Sequence, residues 1–487
     1  MTGTLLLLLV LAPLAAAAGS LLLRRARAAE YLNLGASIIA FAAAVLLLAP
    51  SSRHSFVYWH RYILLDAPGA WTILCTAAVY LLSSIYAVGY MRLLDEETRL
   101  PRFYALFATF AFTMLCGPLM NSVGVYWIAI ELTTLVSTFL VGFELGRESI
   151  EAAWKYIIIV SAGISLALLG TILFYWGGSL VLGPTYNMTW AVLRDNASRI
   201  NPMLLNLAFL LVLVGYGTKV GLAPMHTWLP DAHSEGPAPV SAMLSGALLN
   251  TAILGIIRFL AIADAASPSL MPRVVLVAFG VFSLFVAALF IVRQEGVKRL
   301  MAYSSVEHMG ILALGFGFGG PLGVAGALYH MLNHSLNKSL MFFGAGNVMR
   351  RFGTKQMPQV HRVLNRLPVT GALWLAGAVA ITGAPPFGLF LSEVTIMRAG
   401  LLTPNRWAVF VMLLLLIVIF IGFLNHFRQM FFSDKGGSAL PGQQLNAWCV
   451  APLWIALVPI LILGFWWPAG LWHYFSVAAH QLAGGTP

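Results

Sequence analysis

The chain has 487 residues, 60% of them hydrophobic and only 9% charged, where a soluble globular domain carries roughly 25% charged residues. No single aqueous core can absorb that much apolar sequence, so most of this chain is solvated by lipid. The formal net charge of +11 does not point to nucleic acid, because the basic residues fall in short loops between apolar runs, where they act as a topology signal.

A spanning helix needs roughly 20 apolar residues. About fourteen such stretches occur, centred near residues 13, 40, 80, 111, 133, 165, 213, 250, 282, 309, 335, 384, 418 and 458. The expected fold class is therefore an all-α polytopic membrane protein. The first stretch is apolar from Leu5 onward and its basic cluster (Arg24, Arg25, Arg27) comes after it. A signal peptide has the opposite order, so this segment is expected to be a retained helix. It opens an N-terminal group of three spans over residues 1–100.

Charged groups are costly at the bilayer centre, so those inside spans are functional candidates. Glu131, in the fifth span (NSVGVYWIAIELTTLVSTFLVGFE, 121–144), is the first. An unpaired carboxylic acid in lipid stays neutral, and a lysine beside it favours the ionised form. Lys219, two spans later, is the expected partner. A buried Glu–Lys pair whose separation can change is a proton switch.

Lys219 opens the run KVGLAPMHTWLPDAHSEGPAPVSA (219–242). Pro224 lacks a backbone donor and clashes with the preceding turn, so the helix is expected to break there. Pro230, Pro237 and Pro239 then suggest a compact, poorly helical connection. Glu307 and His308 in the tenth span lie near an expected helix start and are secondary candidates. In the eleventh span, YHMLNHSLNKSLMFFGAGN (329–347), His330, His334 and Lys338 fall at i, i+4 and i+8, one stripe of a helix bordered by Asn333 and Asn337. Such a stripe can order a water chain along which neutral imidazoles pass protons. A second break is expected in TGAPPFGLFLSE (382–393), where Pro385 and Pro386 precede Glu393. Broken helices beside buried ions mark ion pathways, and one in each half suggests two repeats of inverted topology.

Neither a metal nor a cofactor is expected. The HxxxH spacing of His330 and His334 has no acidic third ligand at the usual distance along the helix. Haem needs a matching histidine on a facing helix, and His226 and His233 fall in the break region. Cys75, Cys116 and Cys449 are scattered, without CxxC or ligand spacing, which argues against disulfide, zinc and iron–sulfur roles.

Loop charges give an orientation. Loops after odd-numbered spans hold about 18 Lys and Arg, Lys298 and Lys435 among them, and loops after even-numbered spans about 8. Lys219 and Lys338, inside spans, complete the 28. The positive-inside rule places the odd loops, of which 349–369 is the richest, in the cytoplasm and both termini outside it.

Taken together, Glu131, the 219–242 run, KRLMAYSSVEHMGILALGFG (298–317), the His330–Lys338 stripe and TGAPPFGLFLSE resemble the antiporter-like proton-translocating membrane subunits. These occur in complex I, cation/proton antiporters and membrane-bound hydrogenases. AIELTTLVSTFLVGFE, EAAWKY and AYSSVEHMG are most similar to hydrogenase 4 component F and its relatives.

The resemblance implies two inverted-topology five-helix repeats, at 101–262 and 270–432, followed by a last span and tail at 446–487. It implies Glu131 and Lys219 in an inward half-channel, His330, His334 and Lys338 as a central relay, and Glu393 at the end of an outward half-channel. Many members carry a lysine on the eighth helix where this chain has Asn250, which cannot change its charge; Arg258, two turns on, does not deprotonate.

The implied role is a non-catalytic, proton-translocating subunit of an oxidoreductase complex. It would sit in a bacterial inner membrane beside other membrane subunits and a peripheral redox module. A haem- or quinone-binding oxidoreductase subunit and a non-transporting assembly scaffold are the alternatives.

Overall fold

The computed structural model describes residues 2–94, 97–266, 271–433 and 445–484. Lys435 of the loop count and Leu270, the expected first residue of the second repeat, lie outside the described residues.

Two long apolar helices, α1 (Thr2–Leu23) and α2 (Ala26–Ser51), pack against each other. A short hairpin follows, β1 (Phe56–Tyr58) antiparallel to β2 (Ile63–Leu65). The spans continue with α3 (Ala67–Tyr90), α4 (Leu100–Cys116), α5 (Val123–Val141) and α6 (Arg147–Leu182). Asp66 caps α3 by accepting from Gly69 N at 2.9 Å, satisfying one of the free donors at a helix start.

The seventh span is broken as Pro224 predicts. α7 (Pro202–Val220) ends four residues before that proline, whose ring excludes the carbonyl of residue i−4. Gly221 reverses the chain at φ +80°, a conformation that suits glycine. The backbone groups released by the break find local partners: Trp228 Nε1 donates to Thr218 O at 2.7 Å, and Ala223 N donates to Ser283 Oγ at 3.0 Å.

The stretch after the break is helical, contrary to expectation. α8 (Trp228–Glu235) carries Pro230 in its first turn, and α9 (Ala238–Ala266) carries Pro239 in its own, with Pro237 just before it. Proline is tolerated at these positions because first-turn N–H groups have no intrahelical acceptor.

The second half comprises α10 (Met271–Val292), α11 (Val297–Phe318) and α12 (Gly320–Phe352). The broken pair α13 (Pro368–Ile381) and α14 (Gly388–Leu401) follows, then α15 (Trp407–Phe432), α16 (Ala447–Phe465) and a short helix α17 (Ala469–Leu482). α13 also ends four residues before its proline, Pro385. Eleven helices are long and apolar enough to cross a membrane by length and composition. The polar-centred α11 and α12 and the broken α13–α14 bring the spans to fourteen among the described residues. The chain is thus a multi-pass, all-α membrane protein.

The loops sort onto two faces. Lys355, after the eleventh span, reaches Glu148 (3.3 Å) and Glu235 (2.7 Å), after the fifth and seventh. On the opposite face Gln481 of α17 accepts from Ala67 N (2.7 Å), and its carbonyl accepts from Arg194 (3.1 Å) after the sixth span. These odd loops and these even loops thus form two separate clusters.

A buried polar axis as the candidate functional site

The axis begins on α5. Glu131, only half-buried, accepts from Ser161 Oγ of α6 at 2.7 Å and from Thr134 Oγ1, one turn on, at 3.4 Å. Lys219 is fully buried as the penultimate residue of α7, where the carbonyl end of a half-helix favours a cation. Its Nζ donates to Thr134 Oγ1 (2.8 Å) and Tyr156 Oη (2.9 Å) and lies 5.2 Å from the Tyr156 ring centre. The expected Glu131–Lys219 pair is therefore joined through Thr134 rather than by direct contact.

The next titratable group is His233 on α8, which the sequence reading weighed only as a haem ligand. It is fully buried, with its ring 5.0 Å from Phe342 of α12, and neither ring nitrogen has a hydrogen-bond partner among the described residues. Lys298, counted among loop charges, is instead the second residue of α11 and 4% exposed. It donates to Gly236 O (2.5 Å) and Ser234 O (3.3 Å).

The centre is formed by α11, α12 and α14. Lys338 donates to Ser304 Oγ (2.5 Å) and Met301 O (3.0 Å) of α11. Glu307 and His308 are not near a helix start: both lie in the middle of the 22-residue α11 and are buried. The hydrophilic sequence AYSSVEH masks this, because its polar side chains turn toward other helices rather than water. Ser304 meets Lys338, Ser305 Oγ meets Ser245 Oγ at 2.7 Å, and His308 Nδ1 meets His330 Nε2 at 3.0 Å. His330 Nδ1 in turn meets Ser392 Oγ at 2.9 Å, beside Glu393 on α14. The ring of His334 lies 5.3 Å from that of His308, and both its nitrogens lack a hydrogen-bond partner among the described residues.

Asn250 also reaches this axis. It follows a π turn at Leu244–Leu248 within α9, a distortion common at functional sites. The Gly246 carbonyl in that turn accepts from Asn250 Nδ2 (3.0 Å) and Ser335 Oγ (2.6 Å), and Asn250 also donates to Ser335 Oγ (2.8 Å). A Cβ on Gly246 would meet the Ser335 carbonyl at 3.1 Å, so glycine permits this approach. Arg258 lies apart, paired with Asp66 at 2.8 Å.

His308, His330 and Glu393 can each offer an atom within 4.8 Å of the others, a set able to hold a metal ion. Local spacing could not have revealed it, since the three come from three helices. Haem ligation between His308 and His330 does not fit: nitrogens 3.0 Å apart leave no room for a porphyrin plane.

The family model described as NADH:quinone oxidoreductase/Mrp antiporter, TM, matches residues 120–422. A hydrogenase-4 component F homolog of Methylacidiphilum infernorum is 41% identical over 301 residues, which is 61% of this chain and 63% of that protein. Hydrogenase-4 component B of Escherichia coli is 31% identical over 345 residues, 68% of this chain and 49% of that protein. The chain thus spans about half to two thirds of the length of these relatives. Among solved structures, a chain of the Mrp complex from Dietzia superposes with a TM-score of 0.87 at 21% identity, covering 99% of this chain and 97% of that one. A chain of the archaeal membrane-bound sulfane sulfur reductase superposes with a TM-score of 0.86 at 22% identity, covering 98% and 97%. At such identities the likeness is one of fold.

Proposed function

The chain belongs to the NADH:quinone oxidoreductase/Mrp antiporter membrane family, and from that premise we propose that it translocates protons as one membrane subunit of a redox-driven complex. One observation carries this reading. Along the axis, buried polar atoms stand without a partner among the described residues: both ring nitrogens of His233 and His334, Nε2 of His308, and the amide oxygens of Asn250, Asn333 and Asn337. Buried polar groups are rarely left unpaired, and internal water is their ordinary partner. Water between these groups, at hydrogen-bonding distance from imidazoles and amines, is a proton wire.

Glu131 and Lys219 form the switch at one end, with His233 on the way to the centre. Lys338, His334, His308 and His330 form the relay, and Glu393 lies at the other end. Asn250 cannot carry charge but anchors water and Ser335 beside the relay. The residue division 101–262 and 270–432 serves as two inverted repeats, each with one broken helix. Loop charge places the odd loops in the bacterial cytoplasm and both termini outside the inner membrane. Hydrogenase-4 components among the relatives support neighbouring membrane subunits and a peripheral redox module as partners. Protons are preferred over sodium, which needs several oxygen ligands, whereas this axis offers mainly imidazoles and amines.

The test is proton translocation by the assembled complex in proteoliposomes. Lys219→Ala and Glu131→Ala are each expected to abolish it while the complex still assembles. Unchanged pumping in both variants would sink the proposal. Full pumping by the Glu393→Gln, Lys338→Met double variant would favour a scaffold, and a Soret band in the purified chain a haem subunit.

A further inference from the structure

A cleft of about 310 Å³ opens between α6, α8 and α11 on the face carrying the odd loops. Its rim is a set of ion pairs. Asp231 binds Arg299 (2.6 Å) and Lys155 (3.3 Å), while Lys355 binds Glu235 (2.7 Å) and Glu148 (3.3 Å). The Lys355 segment is also held to the start of α11 through its backbone, by Val297 N to Lys355 O (3.0 Å) and Met357 N to Glu295 O (2.7 Å). Of the charged residues lining the cleft, Lys298 alone is buried.

Lys298 stands where the cleft meets the axis. Two of its three ammonium donors are taken by the carbonyls of Ser234 and Gly236. Those residues closely follow His233 in the chain. The imidazole of His233 is fully buried and without a hydrogen-bond partner among the described residues, and its ring packs on Phe342. Phe342 lies four residues from Lys338 on α12, the spacing that places two residues on one helix face. A buried amine thus stands between an open, charged cleft and an imidazole of the axis that has no partner among the described residues.

Resting on the proton-translocating reading above, we propose that this cleft is a proton entrance and that Lys298 carries the proton from it to His233. The ammonium of Lys298 gives its proton through water to a neutral ring nitrogen of His233 and becomes the free amine. A proton from cleft water restores the ammonium, and the imidazolium of His233 passes its own proton toward Lys338. Lysine suits this duty because it deprotonates readily when buried, whereas arginine stays charged. The bland alternative is that Lys298 only latches the end of α8 by capping its free carbonyls.

The two roles separate experimentally in the full assembled complex. Lys298→Arg keeps a fixed positive charge and donors for the two carbonyls, so a latch survives and a carrier does not. The expected result is at least a tenfold loss of proton translocation, with assembly and thermal stability retained. Lys298→Cys is expected to lose translocation equally and to recover it when alkylated with bromoethylamine, which restores an amine of nearly the same reach. Wild-type translocation by Lys298→Arg overturns the assignment, as does failure of a Lys298→Cys complex, fully aminoethylated by mass, to recover. If Lys219→Ala and Glu131→Ala abolish translocation while Lys298→Arg is normal, the entrance alone is wrong. If all three are normal, the proton-translocating reading itself fails.

Discussion

Lys219 and Glu131 stand one hydroxyl apart. Thr134 Oγ1 accepts from Lys219 Nζ at 2.8 Å but reaches Glu131 only at 3.4 Å, long for an O–H···O bond. The carboxylate is held instead by Ser161 of α6, and the ammonium by Tyr156 of the same helix. The two side chains are therefore bridged rather than in direct contact, and direct contact would favour both charges more than a hydroxyl-bridged arrangement does.

Thr134→Val tests that bridge. The substitution keeps the shape and removes the hydroxyl that, among the described residues, hydrogen-bonds both Lys219 and Glu131. Lys219 retains Tyr156, so the stability cost should be about 1–3 kcal/mol, the range for a buried group losing one partner. Proton translocation is expected to fall on the order of tenfold, as for a barrier raised by ~1.4 kcal/mol. A variant that pumps normally would show that the switch does not work through Thr134.

Asp66 and Arg258 make a different prediction, about stability. The two meet at 2.8 Å, with Arg258 buried and Asp66 partly exposed, and Asp66 also caps α3. Removing the acid alone leaves an uncompensated buried guanidinium, which costs about 3–5 kcal/mol. Asp66→Asn should therefore lower the unfolding temperature in detergent sharply, while Asp66→Asn with Arg258→Met should recover much of the loss. A double variant less stable than the single would refute the pairing as the cause.

Lys355, outside the spans, gives a pH dependence. Burial works against its ammonium, but the hydrogen bonds and charges of Glu235 and Glu148 outweigh burial and hold its pKa above the ordinary lysine value of 10.5. A cation with a raised folded value contributes its full stabilisation below the unfolded value and loses it as pH rises through the folded one. The clasp should therefore stay closed to about pH 10.5 and open only above it. A spin label at Gln356→Cys should remain immobilised between pH 8 and 10; loosening within that range would contradict the pairing.

Much of the architecture was legible in the sequence. Apolar run length pointed to about fourteen stretches, and eleven helices are long and apolar enough to cross by themselves, because lipid imposes one length on every crossing. Both breaks were readable from Pro224 and Pro385, since the clash of a proline ring with residue i−4 is local; the helices stop at Val220 and Ile381. The burial of Lys219, His330, His334, Lys338 and Glu393 was legible because an ionisable group in an apolar run is conspicuous whatever surrounds it.

The errors have one physical origin. The segment AYSSVEH read as the start of a helix because each polar residue counts against a span when taken singly. Only tertiary packing supplies Lys338 for Ser304, Ser245 for Ser305 and His330 for His308, each from another helix. The same holds for His233 and Lys298, whose burial depends on how α8 and α11 meet. By itself, then, the sequence determined membrane residence, the spans, the two breaks and most of the titratable groups, all of them consequences of local chemistry against lipid. Which groups face one another was decided only by the packing: Thr134 between Lys219 and Glu131, Glu393 beside His308 and His330, and Lys298 beneath an open cleft. Those contacts join helices far apart in the chain, and no local pattern encodes them.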